Sequence, residues 1–478
     1  MDGRVASDGG PGDGLVPTDG VVRRAASLRG ELRLPSDKSV AHRTLIANAL
    51  AAADTGDPAV VTVRAPGDDV RSTVRCLRGL GVAIEEATDP TRNGLTEIAV
   101  AGGLAPSNAA STMALDCGNS GTTMRLIAGL LAGLPMSARL DGDTSLRGRP
   151  MERLAEPLRA MGATVETTDG HGPIHVVGSR PLRALEHRLP VASAQLVGAI
   201  CLAALSAEGK TRIVVPGPTR DHTERLLAWM GIPIERYALP IDGRGSPIEG
   251  RATVTTVSGP ARPRPRSLTV PGDPSAATPW LVAAAVHPDA ELRLIEVGLN
   301  PTRLGAIDVL REMGADIEVL PMAGGGPEPV GDIVVRSAGR LRAVRLGGDR
   351  VAELIDELPA LAVAMAAAEG TSELRDADEL RVKESDRIAK VVAGLAAIGA
   401  HVEELPDGWR VRADEPRDAA IVTRGDHRIA IAFAVAALAG VTGEVRLDDP
   451  SCASVSYPTF WEHVARVTRE RGMAAGGS

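Results

Sequence analysis

A chain of 478 residues, 44% apolar and 24% charged, has the balance of a folded globular protein and is long enough for two or three domains. Its net charge of −8, with only two Phe and two Tyr, argues against a nucleic-acid partner or an anionic membrane surface. No run approaches the ~20 apolar residues of a membrane span. Four scattered cysteines, Cys76, Cys117, Cys201 and Cys452, contain no CxxC pair, so neither a zinc site nor a disulfide framework is expected.

Residues 1–20 are Gly/Asp-rich and lack a basic start and an apolar stretch, which predicts a disordered tail rather than a secretory signal. Met473–Ser478 reads the same way. After a short strand, Pro35-Ser-Asp-Lys-Ser-Val-Ala-His-Arg43 enters an apolar helix, Thr44–Ala53. Lys38, Ser39 and Arg43 would project from a helix start, where free N–H groups and the helix dipole favour an anion. A capped, solvated helix start is the plainer alternative.

Five later segments share one pattern of polar start, apolar helical period, Gly, and short β-rich run. They are Asp69–Glu86, Pro150–Glu166, Thr219–Glu235, Thr302–Glu318 and Glu384–Glu403. Between them lie stretches apolar around most of a helix circumference: Met124–Leu134, Ala194–Ala207, Ala276–Ala285, Leu358–Ala368 and His427–Ala439, alongside Thr44–Ala53. Six buried helices alternating with amphipathic ones and strands predict an α/β unit repeated six times, three per domain. Gly243–Arg266 is Gly/Pro/Arg-rich and reads as a loop or hairpin near a domain junction. Leu268-Thr-Val-Pro-Gly-Asp273 follows it as a crossover.

The chemistry-bearing clusters come at the starts of these helices. Asp116-Cys-Gly-Asn-Ser-Gly-Thr-Thr-Met-Arg125 is a Gly-containing loop able to bring backbone close to a phosphate or carboxylate, and it lacks the GK[ST] of a triphosphate-binding loop. Asp356 is an acid embedded among apolar residues. Arg381-Val-Lys-Glu-Ser-Asp-Arg387 mixes two acids with three bases, with Lys383 and Arg387 expected on one helical face and Glu384 pointing aside. Gly425-Asp-His-Arg428 ends on an Arg with no evident core role. Each cluster taken singly also fits a solvated salt-bridged surface. Only four of the 53 cationic residues are lysines, and Lys38 and Lys383 fall inside these clusters.

Taken together, in order and spacing, the strings D-K-S-x-x-H-R, G-N-S-G-T-x-x-R, L-R-G-R-P-M, S-A-Q, T-R-D-H-T-E, P-G-D-x-S-x-A, N-P-T-R-x-G, I-D-E, K-E-S-D-R and D-H-R resemble the 5-enolpyruvylshikimate-3-phosphate synthase family from about Arg29 to Val464. The resemblance implies an α/β (α+β) fold, a two-domain inside-out α/β barrel with three βαβαββ repeats per domain. The chain would cross between domains near Asp37 and Pro271, giving one domain of residues 21–36 plus 272–472 and another of 37–271. It implies a cytoplasmic, cofactor-free and metal-free monomeric transferase. Such an enzyme moves the enolpyruvyl group of phosphoenolpyruvate onto shikimate 3-phosphate, in the shikimate pathway to chorismate and the aromatic amino acids.

By the same resemblance the donor site is Lys38, Gly121, Arg149, Gln195, Arg387 and Arg428. The acceptor site is Lys38, Ser39, Arg43, Thr122, Ser193, Ala194, Gln195, Arg220, Asp356 and Lys383. Asp356 matches the acid that takes the acceptor hydroxyl's proton, and Glu384 with Lys38 the group exchanging a proton at the methylene carbon. Two positions depart from many members or vary among them. Val455 stands where a further donor-binding lysine is common, and Gly121 is the position at which an Ala in some members excludes glyphosate. The sister transferase acting on UDP-N-acetylglucosamine typically has Lys-Asn in place of Lys38-Ser39 and a catalytic Cys where this chain has Thr144. A non-catalytic phospho-ligand-binding paralogue would have lost Lys38, Asp356 or Glu384, and all three are present.

Overall fold

The computed structural model describes residues 16–17, 19–51, 58–89, 91, 94–104, 112–239 and 252–468. The repeat is clearest over 113–177. Strand Met113–Asp116 runs parallel to Ser137–Asp141 after the buried helix Gly121–Ala132. Glu152–Met161 then leads to Thr164–Thr168, and His171–Val177 inserts antiparallel between Thr164–Thr168 and Ser137–Asp141. That is one βαβαββ unit, with the parallel pair bridged by a helix as parallel strands require.

Among the described residues six sheets form, four of them four-stranded. The alternating burial of each strand turns one face to the core; in Leu28–Arg33, for instance, Leu28 and Leu32 are buried while the charged residues between and after them are exposed. The six apolar helices are Lys38–Leu50, Gly121–Ala132, Ala194–Ala204, Pro274–Val286, Leu358–Ala367 and His427–Ala439. They pack among themselves in two sets of three, inside the sheets. The apolar core therefore falls into two clusters. An inner-sequence domain gathers Val40 to Val270, and an outer-sequence domain gathers Val22–Leu34 with Ala276 to Val467.

The five segments carrying the Gly signal all fold as read. Gly81, Gly162, Gly231, Gly314 and Gly399 sit just past their helices at φ +86°, +113°, +90°, +103° and +101°, where a side chain would be strained. A sixth amphipathic helix, Phe460–Thr468, completes the set and packs on Leu28–Arg33.

One reading resolves to its second alternative, and three need correction. Ala252–Gly259, within the segment read as a loop or hairpin, forms a hairpin with Ile234–Leu239 and lies as the central strand between it and Ala207–Val215, its β-branched Val and Thr residues suiting a strand; residues 243–251 of that segment lie outside the described residues. The end of the supposed tail is ordered: Asp19 Oδ1 accepts from Val21 N–H, and Gly20 O accepts from Leu447 N–H at 2.9 Å. Residues 1–15 and 469–478 lie outside the described residues. The first apolar helix begins at Lys38, not Thr44, because the Asp37 carboxylate caps it. Lys383 and Arg387 do not share a helical face. Asp386 caps the N–H of Ala389, so the helix begins only at Arg387.

Chain crossings between the two cores lie side by side. Asp37 N–H donates to Pro271 O at 2.8 Å, Asp273 N–H donates to Pro35 O at 2.9 Å, and Ser36 pairs antiparallel with Gly272.

Candidate active site

Four of the six buried helices start at a residue already singled out for chemistry or next to one, Lys38, Gly121, Ala194 and His427; Pro274 follows the crossover string and Leu358 comes two residues after Asp356. Four of the six caps are satisfied locally by the preceding Asp or Ser. Asp37 accepts from Ser39 N–H, Ser120 from Thr123 N–H, Asp273 from Ser275 N–H and Asp426 from Arg428 N–H. Ser193 caps nothing with its side chain, leaving its hydroxyl for another partner. Six helix starts beside a common cleft bring their partial positive ends together, a setting that favours anions before any side chain is counted.

The cations add to it. From the inner domain, Lys38 Nζ lies 2.8 Å from Asp69 Oδ2. Burial works against the Lys38 ammonium, but the Asp69 carboxylate outweighs it and holds the group above the ordinary lysine range. Arg149 donates to Asn119 Oδ1 at 2.8 Å and reaches Glu384 Oε1 of the outer domain at 3.6 Å. Gln195 accepts from Arg125 at 2.6 Å and donates to Thr122 Oγ1 at 2.9 Å, so neighbouring helix starts are linked. Burial, with Arg153 and Arg149 nearby, pushes Arg125 down to about 9. Arg43 is held by Thr223 Oγ1 at 2.8 Å and Ser39 O at 2.9 Å.

From the outer domain comes a buried guanidinium with a carboxylate at each end. Arg387 Nη2 is 2.6 Å from Glu384 Oε2, its Nη1 is 4.0 Å from Asp356 Oδ1, and its Nε bonds Asp426 Oδ2 at 3.1 Å. Glu384 thus turns toward Arg387 rather than aside, correcting the reading from the sequence; the break before the helix lets it fold back. Burial alone would raise both acids. For Glu384 the charges of Arg387, His427 and Arg149 win and hold it well below the usual carboxylate range. For Asp356 those of Arg220, Arg428, Lys383 and Arg387 do the same. Lys383 is lowered chiefly by burial. His427 is driven to about 3 by burial and by Arg428, Arg387 and Lys38, so it is neutral at physiological pH. Arg428 reaches the carbonyl of Ser275 at 3.4 Å and lines a cavity with Asp356, Ser456 and Tyr457.

Contacts across the cleft are made by Arg149 with Glu384, Arg153 with Glu379 at 3.4 Å, and Arg220 with Asp356 at 2.9 Å. These contacts join the two domains across the cleft. Residues that sequence reasoning left unassigned include Asp69, Asn119, Arg125, Arg303, Glu357 and Asp426. All but Asp69 stood inside the quoted strings, yet nothing local in sequence marked their partners.

A family profile described as EPSP synthase (3-phosphoshikimate 1-carboxyvinyltransferase) matches residues 22–464. Curated relatives bearing the name 3-phosphoshikimate 1-carboxyvinyltransferase include one from Herpetosiphon aurantiacus, 45% identical over 93% of this chain and 98% of its own. Another, from Gloeobacter violaceus, is 45% identical over 94% and 99%. Among solved structures, the EPSP synthase of Acinetobacter baumannii superposes with a TM-score of 0.78 at 35% identity, covering 94% of this chain and 97% of that one. The enolpyruvyl transferase NikO of Streptomyces tendae shares the fold at a TM-score of 0.67 and 20% identity. With cleft, repeat and relatives in agreement, the chain belongs to the EPSP synthase family.

Proposed function

We propose that the chain transfers the enolpyruvyl group of phosphoenolpyruvate to the 5-hydroxyl of shikimate 3-phosphate and releases phosphate. The observation that carries this is the pair of carboxylates, Glu384 and Asp356, set at 2.6 and 4.0 Å from the two ends of the one buried Arg387 in a ring of cations. The reaction needs two proton transfers beside two anionic substrates, and the cleft supplies both. Protonating the donor's methylene carbon and attacking its C2 with the acceptor oxygen gives a tetrahedral adduct. Expelling phosphate and removing a methyl proton restores the double bond.

Asp356 accepts the hydroxyl proton, and Glu384 with Lys38 exchanges the proton at carbon. Both acids rest with low proton affinity because cations surround them. Substrate phosphate and carboxylate groups neutralise those cations, so the affinity of each acid rises only when substrates are in place. Lys38, Gly121, Arg149, Gln195, Arg387 and Arg428 hold the donor, with Arg suited to bidentate contact. Ser39, Arg43, Thr122, Ser193, Ala194, Gln195, Arg220, Asp356 and Lys383, with Lys38, hold the acceptor. The domains are residues 21–36 plus 272–472 and residues 37–271, closing on substrate. The enzyme works as a cytoplasmic monomer; no helix among the described residues is long and apolar enough to cross a membrane. With Gly at 121 the donor pocket is open, and glyphosate competes with phosphoenolpyruvate.

A coupled assay for phosphate release from the two substrates tests the activity, with UDP-N-acetylglucosamine as the acceptor that should not react. Glu384→Gln at the wild-type rate would overturn the assignment of roles, and full activity in millimolar glyphosate would overturn the open pocket.

A further inference from the structure

We infer that Glu357 is a positioning residue for the acceptor phosphate, holding one edge of Arg220 while the ligand takes the other edge away from Asp356. This rests on the reading of the cleft given above. Arg220 comes from the inner domain and meets two consecutive carboxylates of the outer one. Its Nη1 lies 2.9 Å from Asp356 Oδ2 and its Nη2 lies 3.5 Å from Glu357 Oε2.

The two carboxylates are not equivalent. The Asp356 side chain is 28% exposed and that of Glu357 only 4%. A phosphate entering the cleft therefore meets Asp356 at Nη1 before it meets the more buried Glu357. Glu357 is itself fixed: its Oε1 accepts from Ser275 Oγ and lies 3.6 Å from Arg303 Nη2.

Neutralising Arg303 does not require Glu357. That buried guanidinium already pairs with Asp37 at 3.0 Å and Asp273 at 3.1 Å. What Glu357 alone adds is a second anchor on Arg220. The guanidinium can then rotate its loyalty at one edge without losing its orientation, so less ordering remains to be done when phosphate binds. As Nη1 turns to phosphate, Asp356 loses its closest cation, which favours proton uptake by the proposed base.

The test is Glu357→Gln in the full chain, which keeps the side-chain volume and removes the charge. Calorimetric Kd and steady-state KM for shikimate 3-phosphate should both rise about tenfold, the scale of a lost charge-assisted contact. KM for phosphoenolpyruvate should stay within about twofold, because Arg149 and Arg387 are held by Asn119, Glu384 and Asp426 instead. A folded variant with unchanged acceptor affinity, or with both substrates weakened equally, overturns the proposal.

If the variant does not fold, Ser275→Ala carries the test, since it removes only the hydroxyl that bonds Glu357 and Arg303. The acceptor Kd should then rise about threefold and the donor KM stay put; no change in either overturns the proposal. Wild-type enzyme that neither binds the acceptor nor releases phosphate would sink the functional reading and this inference with it. Active wild type with unaffected variants would sink this inference alone.

Discussion

The two crossing segments, Pro35-Ser-Asp-Lys-Ser39 and Pro271-Gly-Asp-Pro-Ser275, are the same device built twice. In each, the Asp side chain caps the next helix and its N–H bonds the Pro carbonyl of the other segment. Both Asp carboxylates meet on Arg303, which binds Asp37 at 3.0 Å and Asp273 at 3.1 Å. They differ at the first helical position. One copy has Lys38, paired with Asp69 in the cleft, and the other has Pro274, which pre-sets a helix start and carries no charge. Five residues on, Arg43 in one copy faces Pro279 in the other. A duplicated scaffold thus gives both domains the same helix start, while the cation at the first helical position is installed in one copy only.

The largest effect should come from exchanging that difference. Lys38→Ala should lower kcat for phosphate release by about 10²–10⁴-fold, the range for a lost proton-transfer group, and Pro274→Ala by less than about threefold, the range of a compatible helix-start change. Equal losses from both would mean that the lysine serves only as a helix start, as the proline does.

The shared Asp residues separate the copies by stability instead. For Asp37, burial is opposed and outweighed by Arg303 and His222, so its folded-state proton affinity falls below the ordinary 3.8. For Asp273, burial and the charge of Asp37 prevail over Arg303, and its affinity rises above 3.8. Asp37 therefore adds stability above pH 3.8 that is lost as pH falls through its depressed value. Asp273 has the opposite sign: protonation favours the folded form, and its contribution fades as pH rises through its raised value. Asp37→Asn should cost about 2–4 kcal/mol at pH 7, toward the cost of breaking a buried pair, and Asp273→Asn little or nothing, because the amide matches the neutral form that the fold favours there. Denaturant unfolding at pH 7 and again well below pH 3.8 checks both: the Asp37→Asn penalty should shrink at the lower pH and any Asp273→Asn penalty should grow.

The contrast also explains which parts of the molecule could be read from the chain. The repeat was readable because each unit signals itself within about 20 residues by an apolar helical period and a Gly at positive φ. Lys38 and Arg428 were readable because a cation at the start of an apolar helix has no local use. Arg303 and Glu357 were not, since their meaning depends on partners brought together by the crossings; the Arg303–Asp37 bond spans 266 residues. Glu384 was misjudged for a local reason, the helix cap at Asp386, which a run of charged residues conceals.

A smaller effect is expected at Gly121, where the inner domain brings backbone up to two guanidinium groups. A Cβ there would lie 2.7 Å from Arg125 Nη1 and 3.1 Å from Arg149 Nη1. Both are ends of flexible side chains, so Gly121→Ala should fold normally and displace them by a few tenths of an ångström. KM for phosphoenolpyruvate should rise about three- to tenfold, as for a weakened charged hydrogen bond, with the acceptor KM unchanged and glyphosate inhibition weakened further. An acceptor KM that rises in parallel would place Gly121 outside the donor pocket.

The smallest change expected is a gain, and it asks whether the outer domain can be given the cation it lacks at this junction. Val455 ends a short helical turn, and its carbonyl lies 3.0 Å from where a Cβ on Gly67 of the inner domain would sit. The next two residues, Ser456 and Tyr457, line the cavity that Arg428 and Asp356 share. A lysine at 455 has the reach to add an ammonium to that cavity, but it would do so beside Arg428, and like charges offset part of the attraction for an anion. Val455→Lys should therefore lower KM for phosphoenolpyruvate by only about twofold, roughly 0.4 kcal/mol. The gain should shrink at high salt, because the site opens to solvent. A tenfold gain would mean that the cations already present leave the donor phosphate poorly held, and that the missing lysine is the weak point of the outer domain's copy.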